Sequence, residues 1–208
     1  MDVFTRVSGV AAPLLDDDLN TDQIAPVSGQ LNPDYGYWLF SRQRRAEDGA
    51  EIPDFVLNRP QFRQPGILVT GRNFGCGSSR EAAVWGLIAF GIRCLVGWSF
   101  SEIFRENCLQ NGVLCVELPP EQMKLFQDEV LSNDGTAPFF VDLPEQMVGC
   151  PSGRRIPFEI SAADKMRLLE GLDEIGLTLR HLAEIETWEA RTAAAAPWLQ
   201  TIRDKRLG

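Results

Sequence analysis

The chain has 208 residues, 44% of them hydrophobic, with a formal net charge of −9 and a sequence pI near 4.7. That composition suffices for a sizeable core, while the acidic balance argues against nucleic acid or an anionic membrane as partner, since both are gripped by a basic face. No apolar run approaches the roughly 20 residues of a bilayer span, and Met1-Asp2-Val3-Phe4-Thr5-Arg6 lacks the basic and apolar regions of a signal peptide, so a cytoplasmic location is expected.

Residues 1–12 read as a first short strand. Asp16-Asp17-Asp18-Leu19-Asn20-Thr21-Asp22 is turn chemistry, because Asp and Asn side chains bond their own backbone. Residues 25–64 are irregular, broken by Pro26, Pro33, Pro53 and Pro60, and carry the basic run Arg42-Gln43-Arg44-Arg45. A loop-rich segment this long inside a domain is functional or mobile. Its arginines either steer an anion, meet a partner or form a solvated face.

From residue 67 the order becomes regular. A strand over 67–71, a helix over about 79–90 ended by Gly91, a strand over 92–97, a helix over about 100–110 and a strand over 113–117 make a βαβαβ run. That alternation implies a mainly parallel sheet flanked by helices. A helix from Pro120 to about residue 131 follows, then an antiparallel pair over 139–143 and 155–160, joined by Gly149-Cys150-Pro151-Ser152-Gly153. A helix from Ser161 and another over 177–188, extended weakly to Ala196, complete the chain. The expectation is one α/β domain over 1–208 with a helical C-terminal extension from 161. Beyond Pro197 the tail is basic and peripheral. His181, Trp85, Trp98, Trp188 and Trp198 read as structural, core or interface residues. The five cysteines, Cys76, Cys94, Cys108, Cys115 and Cys150, are scattered and never spaced C-x-x-C, which points to reduced thiols rather than a metal or cluster site built from this chain alone.

The chemistry concentrates in Thr70-Gly71-Arg72-Asn73-Phe74-Gly75-Cys76-Gly77-Ser78-Ser79-Arg80-Glu81, a strand end, a glycine-rich turn and a helix start. A P-loop needs a lysine that is absent here, and a dinucleotide fingerprint would place its third glycine on Arg80. A nucleophile elbow needs G-x-S-x-G and a histidine partner, and His181 is the single histidine. What remains suits a small di- or tricarboxylic acid: glycines for close backbone approach, amides for one carboxylate, Arg80 for another, and a serine to act on an α-proton. A plainer reading competes, in which Ser78-x-x-Glu81 is a capping box. Ser79 and Arg80 exceed what a cap requires.

This string resembles the signature of the 3-isopropylmalate dehydratase small-subunit family, the swivelling-domain members of the aconitase superfamily. The likeness continues through Asn20-Thr21-Asp22-Gln23-Ile24-Ala25-Pro26, Pro53-Asp54-Phe55-Val56-Leu57-Asn58, Ser99-Phe100-Ser101-Glu102-Ile103-Phe104 and Gly171-Leu172-Asp173-Glu174-Ile175-Gly176-Leu177-Thr178-Leu179. It implies an aconitase-like swivelling domain of β/β/α type. It also implies a heteromeric hydro-lyase of leucine biosynthesis, whose separate large subunit holds a [4Fe-4S] cluster that takes the leaving hydroxyl as a Lewis acid. By the same resemblance Ser78 is the base, and Ser79, Arg80, Asp22, Thr21, Asn73, Gly75 and Gly77 bind a small dicarboxylate, with Asp22 orienting Arg80. Two stretches depart from the family pattern. Ala82 stands where the family has histidine, and Val27-Ser28-Gly29-Gln30-Leu31-Asn32-Pro33-Asp34 stands where the family's specificity loop carries an aromatic-Leu pair and basic residues. Citraconate and 2-methylmalate are therefore alternative substrates, and a non-catalytic module keeping the fold is the alternative from another class.

Overall fold

The computed structural model describes residues 1–26 and 34–198. Contacts divide the chain into two compact units, Met1–Gly171 and Leu172–Gly208. The helix expected from Ser161 therefore belongs to the first unit.

The first unit is built on two sheets. Strands β2 (Ala11–Leu14), β3 (Ile67–Thr70), β4 (Cys94–Gly97) and β5 (Leu114–Glu117) form a parallel sheet in that spatial order. Strands β1 (Arg6–Gly9), β6 (Phe139–Asp142), β7 (Met147–Gly149) and β8 (Arg155–Pro157) form an antiparallel one. The single N-terminal strand expected is thus two strands, one in each sheet. The antiparallel pair expected around 149–153 is a four-stranded sheet, because β7 is too short to show an alternation of its own. Pro13 and Pro157 lie on edge strands of their sheets, where a missing N–H need not break a ladder.

The parallel strands are apolar on both faces, as a sheet covered on both sides requires. Ile67, Val69, Cys94, Val96, Leu114 and Val116 face the antiparallel sheet and the helix α6 (Pro120–Asn133), burying Met123, Phe126, Val130, Phe139, Val141 and Val148. Ala12, Leu68 and Leu95 face the other way, against the helices α4 (Ala82–Ala89) and α5 (Glu102–Gln110) through Ala83, Val84, Leu87, Phe104 and Cys108. Burial pushes the thiols of Cys94 and Cys108 well above their usual range, and in Cys108 a hydrogen bond with Cys115 adds to it. All five cysteines are free. The helix α7 (Ala162–Glu170) is capped by Ser161, whose side chain accepts from the Asp164 amide.

Residues 34–64 are packed rather than open. Helices α2 (Tyr35–Trp38) and α3 (Ser41–Arg44) and the 3-10 turns Val56–Asn58 and Pro60–Phe62 bury Leu39, Phe40, Leu57 and Phe62 in the same core as α4. The basic run is not a solvated face. Arg44 is buried, donates to the carbonyls of Gly36 and Tyr37, and lies over the Phe90 ring. Burial, with Arg45 alongside, brings its pKa down to about 10. Arg45 stacks on Tyr37 and pairs with Glu51, so of the three arginines Arg42 alone is exposed. The divergent specificity loop at 27–33 lies outside the described residues.

In the second unit, α8 (Glu174–Leu179) is capped by Asp173, which accepts from the Gly176 amide, and α9 (Leu182–Ala195) follows. The single helix expected over 177–188 is broken at Arg180 and His181. His181 sits at the α9 N-cap with Nδ1 3.3 Å from the Glu184 carboxylate. Among the described residues no helix is long and apolar enough to cross a membrane.

Candidate active site

In open parallel sheets ligands gather beyond the carboxyl ends of the strands. Here the segments that leave β2, β3 and β4 converge at that edge. The turn after β3 runs between the other two. Gly75 donates its amide to the Leu19 carbonyl and Thr21 donates to the Cys76 carbonyl, while Phe74 donates to the Ser99 carbonyl and accepts from the Ser101 amide. The aspartates read as turn formers stitch this junction: Asp17 accepts from the Arg72 amide at 2.6 Å, and Asp18 from the Asn73 side chain at 2.8 Å.

The left-handed backbone of the turn is supplied by Asn73, Gly75 and Gly77, with φ of 52°, 78° and 102°. At Gly75 a Cβ would lie 2.2 Å from the ring of Phe104, so glycine is demanded by packing as well as by φ. Asn73 and Gly75 are thereby committed to the turn itself, and Gly77 is exposed at its rim.

The capping box of the plainer reading, between Ser78 and Glu81, is not formed. Helix α4 begins at Ala82 with Glu81 as an N-cap that lacks a side-chain bond. Ser78, Ser79 and Arg80 form a non-helical lead-in, anchored where Asn107 of α5 donates to the Ser79 carbonyl at 3.1 Å. The Ser78 hydroxyl has other partners. Its Oγ lies 2.9 Å from the Thr21 hydroxyl and accepts from Nε of Arg80 at 2.8 Å, while the Ser78 amide donates to Thr21 Oγ1 at 3.0 Å. The other arm of the Arg80 guanidinium is ion-paired to Asp22. The true capping box lies in the stretch read as a loop: Asn20 and Gln23 cap α1 (Thr21–Ile24) reciprocally and so fix Thr21, buried, and Asp22, exposed, beside the turn.

The structure thus gathers Thr21, Asp22, Ser78 and Arg80 into one hydrogen-bonded cluster. Ser79 and Gly77 are exposed beside it, and Thr21 is buried under it at 2% exposure. Ser99, Phe104 and Asn107 hold the turn from β4 and α5; each sits in the motif or helix that follows β4, with no local pattern to mark its contact. Next to Arg80 a cleft of about 280 Å³ is lined by Tyr35, Arg80, Glu81, Ala82 and Trp85. Among the described residues no group of three His, Cys, Asp or Glu side chains is placed to hold a metal ion.

Residues 1–121 match the family model described as aconitase C-terminal domain, and residues 174–202 the model for the C-terminal domain of the 3-isopropylmalate dehydratase small subunit. Proteins named 3-isopropylmalate dehydratase small subunit from Dinoroseobacter shibae and Ruegeria pomeroyi are 45% and 44% identical over 202 residues, covering 96% of this chain and 100% of each relative. The one from Agrobacterium fabrum is 43% identical over 201 residues. The crystal structure of 3-isopropylmalate dehydratase from Methanocaldococcus jannaschii superposes with a TM-score of 0.60 at 24% identity, covering 88% of this chain and 99% of that one, a likeness that bears on the fold.

Proposed function

This chain belongs to the family of 3-isopropylmalate dehydratase small subunits, and we propose that with a large subunit it interconverts 2-isopropylmalate and 3-isopropylmalate through isopropylmaleate, a step of leucine biosynthesis. The observation that carries this reading is full-length likeness to proteins of that name, 45% identical over 96% of the chain.

In this reading Ser78 takes the α-proton of the substrate. It suits the role because Arg80 directs a permanent positive charge at its Oγ, which stabilises the deprotonated form. Arg80 and the exposed Ser79 bind substrate carboxylate, with the Gly77 backbone at the rim. Asp22 holds the Arg80 guanidinium in place by an ion pair. Asn73 and Gly75 shape the turn that presents these groups.

The family's [4Fe-4S] cluster is assigned to the large subunit, where its Lewis acidity would serve the departing hydroxyl. The reading is tested by reconstituting the chain with its large subunit and following isopropylmaleate formation from both isopropylmalates, with citraconate and 2-methylmalate in parallel. Turnover of isopropylmalate is expected. Turnover of citraconate alone moves the protein to the alternative substrate, and turnover of neither leaves a non-catalytic module.

A further inference from the structure

Thr21 belongs to the cluster and is buried, with 2% exposure, its hydroxyl turned to Ser78. We propose that Thr21 is a positioning residue that holds Ser78 as a base by serving both of its protonation states. The proposal rests on Ser78 being the base, and it follows from counting donors and lone pairs. Arg80 Nε can only donate, and it occupies one lone pair of Ser78 Oγ at 2.8 Å. Thr21 Oγ1, 2.9 Å from the same atom, can donate or accept.

One lone pair of Thr21 Oγ1 already receives the Ser78 amide at 3.0 Å, which fixes the threonine oxygen relative to the serine backbone. That leaves its proton and its second lone pair for Ser78 Oγ. When Ser78 is an alkoxide, the Thr21 O–H and Arg80 Nε–H are its two donors, and the remaining lone pair faces the substrate. As the Cα–H bond breaks, its electron pair forms the C=C bond while hydroxide leaves the adjacent carbon, and the proton passes to Ser78 Oγ. The neutral Ser78 hydroxyl then donates to the second lone pair of Thr21 Oγ1, whose own proton turns away from Ser78. No other side chain among the described residues is bonded to Ser78 Oγ, so the reversal has one place to occur.

The capping box of α1 supports this assignment. Asn20 and Gln23 lock the first turn of the helix, and the Thr21 amide donates to the Cys76 carbonyl at 2.8 Å, so the hydroxyl is preorganised rather than recruited.

The test uses the reconstituted complex with Thr21→Val, which keeps the shape and removes the hydroxyl, and Thr21→Ser, which keeps the hydroxyl. Thr21→Val is expected to lower kcat about 10²-fold with KM within about threefold, as loss of one oxyanion donor does, and to move the base limb of the kcat–pH profile to higher pH. Thr21→Ser should stay within about threefold of wild type with an unmoved limb. In a Ser78→Ala background Thr21→Val should have no further effect on kcat. A Thr21→Val enzyme with near-normal kcat, or one whose loss lies in KM with an unmoved limb, overturns the proposal. Should Thr21→Val fail to assemble, Thr21→Ser with a shifted limb overturns it equally. Full activity of Ser78→Ala alone would instead remove the reading of Ser78 as base.

Discussion

The Oγ of Ser78 lies 2.8 Å from Nε of Arg80, two residues further along the chain. Residues two apart do not face each other on a helix but do on an extended backbone. The meeting therefore depends on α4 starting at Ala82 rather than at 79, which frees Ser78 to Arg80 to run out of helical phase. Arg80 then reaches Ser78 with Nε and Asp22 with its other arm.

A lysine cannot make both contacts. Arg80→Lys is expected to lower kcat by about tenfold or more and raise KM by a similar factor, since a single ammonium cannot bond Ser78 and pair with Asp22 together and lacks the planar carboxylate grip. Asp22→Asn should be milder, raising KM by about threefold, because Arg80 keeps its bond to Ser78. Steady-state kinetics of the reconstituted complex check both.

Gly75→Ala places a Cβ 2.2 Å from the Phe104 ring at a φ of 78°, and should destabilise the protein by about 3 kcal/mol. Gly77→Ala meets nothing nearer than 3.5 Å, so it bears the backbone strain alone, about 1–2 kcal/mol. Denaturant midpoints should separate the two in that order.

Arg44→Ala should remove about 2–3 kcal/mol of stability, because it leaves the Gly36 and Tyr37 carbonyls without their donor and a void over Phe90. Arg42→Ala, at an exposed position, should change stability by under about 0.5 kcal/mol. Thermal melts of the two variants provide the comparison.

Cys94 and Cys108 give a pH dependence whose sign is fixed. Both thiols are held protonated in the folded chain by burial, whereas in the unfolded chain they ionise above about pH 8.5. Their contribution to stability is complete below that pH and is lost as pH rises, at up to about 1.4 kcal/mol per pH unit for each thiol. Urea unfolding between pH 8 and 10 should show the fall, and Cys94→Ala should flatten it.

The strand–helix alternation over 67–117 and the turn at 71–77 were legible because buried strands and glycine punctuation are local signals. The start of α4 was not. Ser78-x-x-Glu81 has the spacing of a capping box, but the Ser78 hydroxyl is bonded across 57 positions to Thr21, a choice set by tertiary structure. The box at Asn20 and Gln23 was hidden by the surrounding aspartates, which read as a turn and are one: Asp17 and Asp18 bind Arg72 and Asn73. Arg44 looked like surface because arginine in a basic run usually is, and its burial rests on Phe90, a partner 46 positions away that no local pattern indicates.

The central claim is that Ser78 removes the substrate proton, and Ser78→Ala tests it most directly. Turnover of isopropylmalate by the complex of this variant with the large subunit should be measured alongside complex formation. The account predicts an intact complex with kcat reduced at least about 10³-fold. An intact complex turning over at close to the wild-type rate would contradict it.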